Sequence, residues 1–314
     1  MRDDRMIIAS VSGGKDSTAM CLHLMEQGIE FVPVFMDTGW ETAATYQYLR
    51  EYLPGVIGEI TWLRSEVELD PAREEIARHY EERLGHYSAM VRWCIKKVMF
   101  PSRMRRWCTE EVKTKPMRDY LSGLDFDPVN AVGIRAAESM ARSKYREWEY
   151  MNYFGCDVWR PILRWSEKDV IDIHTRHGVA PNRGYLNGAR RVGCWPCIYA
   201  SKKELHHFSM DEQRVQLLAD LEITIGELAD AKLAEKGTSI ESKGLSRPAW
   251  FVNPEPKRDP ETGKRSGNLV PIRKVLEWAR TSRGGRQYEL FMPPSRERGC
   301  MRWGLCDTGV NNED

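Results

Sequence analysis

Net charge is nearly missing from this chain. Its 47 Lys and Arg stand against 46 Asp and Glu, a formal +1 over 314 residues, so no global field draws it toward nucleic acid or a membrane, and any basic surface is local. Long apolar runs are missing too. Nowhere do about 18 apolar residues follow one another, and no N-terminal stretch pairs basic residues with an apolar segment, so neither insertion nor export is expected and the location expected is cytoplasmic. Internal repeats and low-complexity tracts are absent. Cysteine is not scarce. Eight of them in a cytosolic chain of this size read as buried thiols, metal or cluster ligands, or nucleophiles rather than a disulfide framework. The length suits one domain with a substantial appendage.

The most informative stretch is Arg5 to Met20, an apolar strand that runs through Ser12-Gly13-Gly14-Lys15-Asp16-Ser17 into a helix. Backbone N–H groups at such a glycine turn and in the first helical turn lack intrahelical partners. They converge on an anion with the helix dipole behind them, and Lys15 adds a mobile positive charge. Walker A spacing is absent.

Strand–helix–strand order over Met6–Val11, Asp16–Gln27 and Phe31–Met36 implies a right-handed βαβ unit and a parallel sheet. The ligand crevice of such a sheet lies at the carboxyl ends of its strands. Asp37 then faces the loop, where it orients metal or nucleotide or serves as a cap or turn former. Glu41–Tyr52 suits a helix, and Val56–Leu63, Val129–Ile134 and Val158–Leu163 suit further strands. A mostly helical excursion from about Glu66 to Leu121 carries Arg103, Arg105, Arg106, Lys113, Lys115 and Arg118. Ser166–His177 starts like a capping box, with Asp169 at its third position. Met210–Lys236 is a longer helical pattern, and Pro248–Asn268 reads as loop or linker.

Gly193-Cys194-Trp195-Pro196-Cys197 places two thiols on one tight bend, as zinc sites, redox dithiols and iron–sulfur sites require. Cys108 is the best third candidate, because Arg105, Arg106 and Lys113 beside it favour a thiolate. A fourth ligand is sought at Cys300 or Cys306, or a non-cysteine ligand leaves a position open. Cys21, Cys94 and Cys156 taken singly read as ligands or as inert buried thiols.

The Ser12–Ser17 loop resembles the PP-loop of the N-type ATP pyrophosphatases, which cut ATP between the α and β phosphates. Further blocks, Gly133-Ile134-Arg135, Glu138-Ser139, Arg142, Arg160-Pro161-Ile162, Trp165 to Val170, Asn182, Gly184-Tyr185 and Gly193 to Cys197, are similar to the ordered blocks of the APS/PAPS reductase family over roughly residues 5–205. In cluster-bearing members two cysteine pairs hold a [4Fe–4S] cluster. Cys194 and Cys197 match the second pair and Cys108 one member of the first, with Trp107 in place of the other. Lys15 and Ser17 depart from the degenerate loop of phosphosulfate reductases, and the tail lacks their Glu-Cys-Gly-Leu-His motif. The combination is closest in pattern to the ATP pyrophosphatase component of DNA phosphorothioation and to reductase-like proteins found beside CRISPR systems. Asp37-Thr38-Gly39-Trp40 is also similar to the ATP sulfurylase catalytic subunit.

These resemblances imply a Rossmann-like α/β adenine nucleotide α-hydrolase fold over residues 1–208, with a helical insertion, and a helical, basic extension over 209–314. They imply ATP and Mg²⁺ held by Ser12, Gly13, Gly14, Lys15, Asp16, Ser17, Asp37, Gly133 and Arg135, with Lys15, Asp16, Asp37 and Arg135 at the reacting phosphates. Cys108, Cys194 and Cys197 would carry a [4Fe–4S] cluster, with zinc as the alternative. Expected partners are ATP and either nucleic acid or a sulfur donor protein. The remaining readings are an APS/PAPS reductase, an ATP sulfurylase-like adenylyltransferase and a non-catalytic nucleotide-sensing subunit.

Overall fold

The structure, a computed structural model, describes residues 5–187, 189–256, 267–282 and 303. Six strands form one sheet: β1 (Ile7–Val11), β2 (Phe31–Asp37), β3 (Thr61–Arg64), β4 (Val129–Val132), β5 (Trp148–Met151) and β6 (Cys156–Trp159). Their spatial order is β3-β2-β1-β4-β6-β5. All neighbours are parallel except β5, which runs antiparallel to β6 along the edge.

β1 is the pivot. Ile7 pairs with Phe31 on one side and Val129 on the other, and the chain winds outward from it in both directions. The topological switch point therefore lies between β1 and β4, where an open α/β sheet leaves its crevice. Side-chain alternation along β1 feeds both faces: Ile7, Ala9 and Val11 join one apolar cluster with Met20, Phe35 and Leu49, while Ile8 joins Val34, Met117 and Leu121 on the other. Burial on both faces requires such a continuous apolar strand.

The helix Lys15–Glu26 follows β1 and packs through Ala19 and Leu22 on Val170 and Ile173 of the helix Glu167–Arg176. Ser166 and Asp169 form the capping box expected there. The strand expected at Val56–Leu63 is shorter and later: Pro54 starts a helical turn through Ile57, as proline at a first helical position favours, and β3 begins at Thr61. The strand expected at Val158–Leu163 is likewise β6, ending at Trp159. Its partner β5 has no counterpart in the sequence reading, because its short Trp-Glu-Tyr-Met run is mostly exposed and carries little apolar pattern.

The helical excursion contains Pro71–Leu84, Ala89–Lys97 and a helix that starts at Trp107, passes through a π-helical turn at Glu110–Thr114 and continues over Lys115–Ser122. Arg92, buried, ties the first two together through Glu74 and Glu81. Beyond residue 209 come a long helix, Glu212–Ala234, a two-stranded pair of β7 (Phe251–Val252) and β8 (Leu269–Val270), and the helix Ile272–Ala279. One apolar cluster unites this region with the excursion: Trp40, Ile95, Trp107, Phe208, Leu218, Leu221, Trp250 and Leu276 all belong to it.

Candidate functional site

The phosphate loop is held by its own hydroxyls. Ser17 Oγ donates to the Gly14 carbonyl at 3.0 Å and accepts the Ser12 N–H at 3.1 Å, while Thr18 Oγ1 donates to the same carbonyl at 3.2 Å. Gly13 takes φ +67°, a left-handed conformation open to glycine at little cost. A cavity of about 160 Å³ opens over the loop, lined by Ser12, Gly14, Lys15, Asp16 and Ser17, by Gly133, Ile134, Glu138 and Arg142 after β4, and by Tyr185, Arg190, Arg191 and Val192.

Lys15 is 7% exposed, and its ammonium lies 3.6 Å from Asp16 and 3.4 Å from Glu167. Arg135, also buried, donates from Nε to Asp16, and Arg142 pairs with Glu138. Gly133 lets the end of β4 reach the loop, since a Cβ there would stand 2.7 Å from Ser17 Cα and 2.8 Å from the Asp16 carbonyl. Asn182 bonds the Gly13 carbonyl and Thr45 Oγ1, both at 3.3 Å. Ser12, Gly14, Lys15, Asp16, Ser17 and Gly133 thus meet at one cavity, with Gly13 behind it against Thr45 and Leu49 and Arg135 reaching it through Asp16.

Asp37 lies apart from that lining. Its Oδ1 accepts the Gly39 N–H at 2.9 Å and the Tyr46 hydroxyl at 2.7 Å, the turn-forming role open to an Asp at a strand end. Sequence reasoning missed Arg190, Arg191 and Val192 as members of the cavity, and Glu167 as a partner of Lys15. No local pattern marks these roles, because the segments involved meet only in the fold.

A second cluster of side chains is built where the C-x-x-C turn docks on the loop after β2. Glu41 and Cys194 form an isolated antiparallel bridge, and the Trp195 N–H donates to the Trp40 carbonyl at 2.8 Å. Glu41, 2% exposed, accepts Thr38 Oγ1 at 2.8 Å and the Tyr46 hydroxyl at 3.0 Å. Its Oε1 lies 3.9 Å from Cys194 Sγ. Lys113, on the π-helical turn, is held charged by Cys194 first, then by Glu41, Cys197 and Cys108, against the opposing effect of burial. A π-turn shifts the residues after it around the helix, a device common at functional sites.

Burial raises the Cys194 thiol to about 12, with Lys113 pulling the other way and Glu41 adding to the rise. Cys108 is raised for the same reason, so burial outweighs the lysine. Cys94 feels the Cys108 thiol as well as its own burial. Cys21, fully buried in the core, is raised by burial alone.

The three expected cysteines are therefore neighbours, yet among the described residues no group of three or more Cys, His, Asp or Glu is arranged to hold a metal ion. The cation that balances these thiols is Lys113. Among the described residues, then, the three thiols lie beside a lysine and not in a metal-ligand arrangement. Cys300 and Cys306, with residues 257–266, 283–302 and 304–314 of the basic extension, lie outside the described residues.

The basic excursion is paired with aromatics: Arg103 and Arg106 lie over Tyr199 at 5.6 and 5.3 Å, and Arg118 over Tyr153 at 5.5 Å. Among the described residues no helix is long and apolar enough to cross a membrane.

The sequence profile of the phosphoadenosine phosphosulfate reductase domain matches residues 6–200, the span that carries both the cavity and the thiol cluster. The chain belongs to this family. It is 31% identical over 339 aligned positions to an uncharacterised 37.8 kDa protein of Escherichia phage 186, covering 96% of each. It is also 31% identical over 128 residues to the adenosine 5'-phosphosulfate reductase of Neisseria meningitidis, covering 40% of this chain and 47% of that one. The phosphoadenylyl-sulfate reductase of Candida auris, solved as a phosphate complex, aligns at 17% identity with a TM-score of 0.43, covering 61% of this chain and 82% of that one. As a member of this family the chain has a Rossmann-like α/β domain suited to a nucleotide.

Proposed function

We propose that this PAPS reductase-family protein binds ATP and cleaves it between the α and β phosphates. The observation that carries the reading is Lys15, a buried lysine in an intact Ser12–Ser17 loop, in a cavity that Arg142, Arg190 and Arg191 also line. Four cations around a set of helix-start amides suit a triphosphate better than a nucleoside phosphosulfate, which has no β and γ phosphates to hold.

An oxygen nucleophile, from water or an acceptor, attacks the α-phosphorus. A new P–O bond forms, the bond to the bridging oxygen breaks, and pyrophosphate leaves with the electron pair. Lys15 and the loop amides stabilise the charge that develops on the departing oxygens. Magnesium is held mainly by phosphates, water and one or two carboxylates; Asp16, on the cavity wall, is the carboxylate suited to it, and the ion would neutralise the leaving group. Arg135 positions Asp16. The acceptor fits a nucleic acid or a sulfur donor protein, on the strength of the arginine and aromatic pairs around Tyr199 and Tyr153 and of the thiol cluster.

Product analysis with labelled ATP, with and without nucleic acid, tests this. Wild-type protein is expected to yield AMP or an adenylylated acceptor together with pyrophosphate, and Lys15→Ala to lose at least about a hundredfold of that activity. Undiminished cleavage in Lys15→Ala would sink the assignment. A second reading, reduction of a sulfonucleotide, is favoured by the similarity to adenosine 5'-phosphosulfate reductases. Release of sulfite from APS or PAPS supplied with a dithiol as two-electron reductant, without cleavage of ATP, would establish it instead.

A further inference from the structure

Tyr185 stands where an anion would be expected. Its hydroxyl oxygen accepts the Lys15 N–H at 3.1 Å, one of the helix-start donors that a phosphate loop offers its ligand. Val192 lines another wall of the same cavity. The Tyr185 oxygen also lies 3.2 Å from where a Cβ on Gly14 would sit, so it rests directly on the loop. The Lys15 ammonium is 5.0 Å from the centre of the Tyr185 ring. A helix-start amide aimed at one oxygen, beside its own lysine and in a cavity that Arg190 and Arg191 also line, makes a cradle for a phosphate or sulfate oxygen. A neutral phenol gains less from such donors than an ionised oxygen does.

We propose that the Tyr185 hydroxyl is a place-holder for one oxygen of the bound anion, and that loading the cavity drives it off the Lys15 amide. This rests on reading the cavity as a phosphate site, and the displacement can be read nearby. Trp303 registers the event, because its ring lies 6.0 Å from that of Tyr185 and 5.2 Å from that of His174.

Titration calorimetry with inorganic pyrophosphate, inorganic phosphate and sulfate, on the full chain and on Tyr185→Phe, tests the proposal. The phenylalanine keeps the ring and removes the competing oxygen, so pyrophosphate is expected to bind about five- to tenfold more tightly, the worth of roughly one hydrogen bond. Unchanged or weaker binding overturns it, since a hydroxyl that contacts the ligand would cost affinity when removed. Failure of all three anions to bind either protein overturns it too. Tryptophan emission gives a second measurement on the wild-type fold: saturating pyrophosphate is expected to change it, and Trp303→Phe to abolish that change. A wild-type signal that does not move removes the link to Trp303. Tighter pyrophosphate binding by Tyr185→Phe in a protein that leaves ATP uncleaved would sink the ATP reading and keep this one.

Discussion

At the scale of single residues, two positions decide how the cavity and the thiols behave. Gly133 has no room for a side chain, because the backbone of Asp16 and Ser17 passes within 3 Å of where its Cβ would stand. Gly133→Ala must push β4 and the loop apart, at a cost of about 1–3 kcal/mol. A lowered melting temperature and pyrophosphate affinity reduced by about tenfold are expected, and calorimetry on the variant checks both. Lys113 limits how far burial raises the thiols. It is the charge that opposes burial at Cys194, so Lys113→Met is expected to raise that thiol further and to slow its alkylation at pH 9 by about tenfold or more. Peptide mass spectrometry after timed iodoacetamide treatment gives the rates. Equal rates would mean that the ammonium does not act on Cys194.

At the scale of elements, the helix Glu212–Ala234 organises its surroundings through one acid. Glu222 accepts the Trp250 N–H at 2.9 Å and the Ile272 N–H at 2.8 Å. It thereby fixes the start of β7 and the first turn of the helix Ile272–Ala279. Burial raises its carboxyl to about 7, while the two N–H bonds oppose the rise. The folded chain thus holds this proton more tightly than the unfolded one. The stabilisation is complete below the unfolded value near 4.5 and is lost as pH rises toward 7, by up to about 3 kcal/mol. Glu222→Gln is expected to flatten the dependence of melting temperature on pH between 4.5 and 7. An unchanged slope would assign that dependence to other groups.

The same contact extends inward. The Trp250 ring stacks on Trp40 at 5.3 Å, and the Trp40 carbonyl receives the Trp195 N–H. The region after residue 209 therefore buttresses the loop on which the C-x-x-C turn rests.

At the scale of the whole molecule, the sheet sets what can meet. Two strands on one side of β1 and three on the other leave a crevice at the switch point, and the Ser12–Ser17 loop and Gly133 are its two lips. The thiol cluster lies off the end of β2, beside Tyr46, whose hydroxyl bridges Asp37 and Glu41. That bridge sets Asp37, expected at the phosphates, beside Glu41 and outside the cavity lining. The segment from Tyr185 through Val192 to Cys194 joins the cavity to the thiols along the chain.

Much of this was legible in the sequence for a local reason. The loop from Ser12 to Ser17 and the C-x-x-C turn are formed by neighbours along the chain, so backbone geometry and residue type settle them without knowledge of the rest. The helix from Lys15, the capping box at Ser166 and the strands around β1 follow from short-range pattern in the same way. Other features needed the fold. The Lys15 amide meets the Tyr185 hydroxyl across 170 positions, and Glu41 meets Cys194 across 153. Lys113 enters the thiol cluster on a π-turn that no periodicity announces. The sequence by itself determined a loop of the kind that holds phosphate, with Lys15 in it, and two thiols on one bend. Only the tertiary structure decided which carboxylates and which tyrosine face them, because the sheet and the buried cluster around Trp40 bring distant segments within bonding distance.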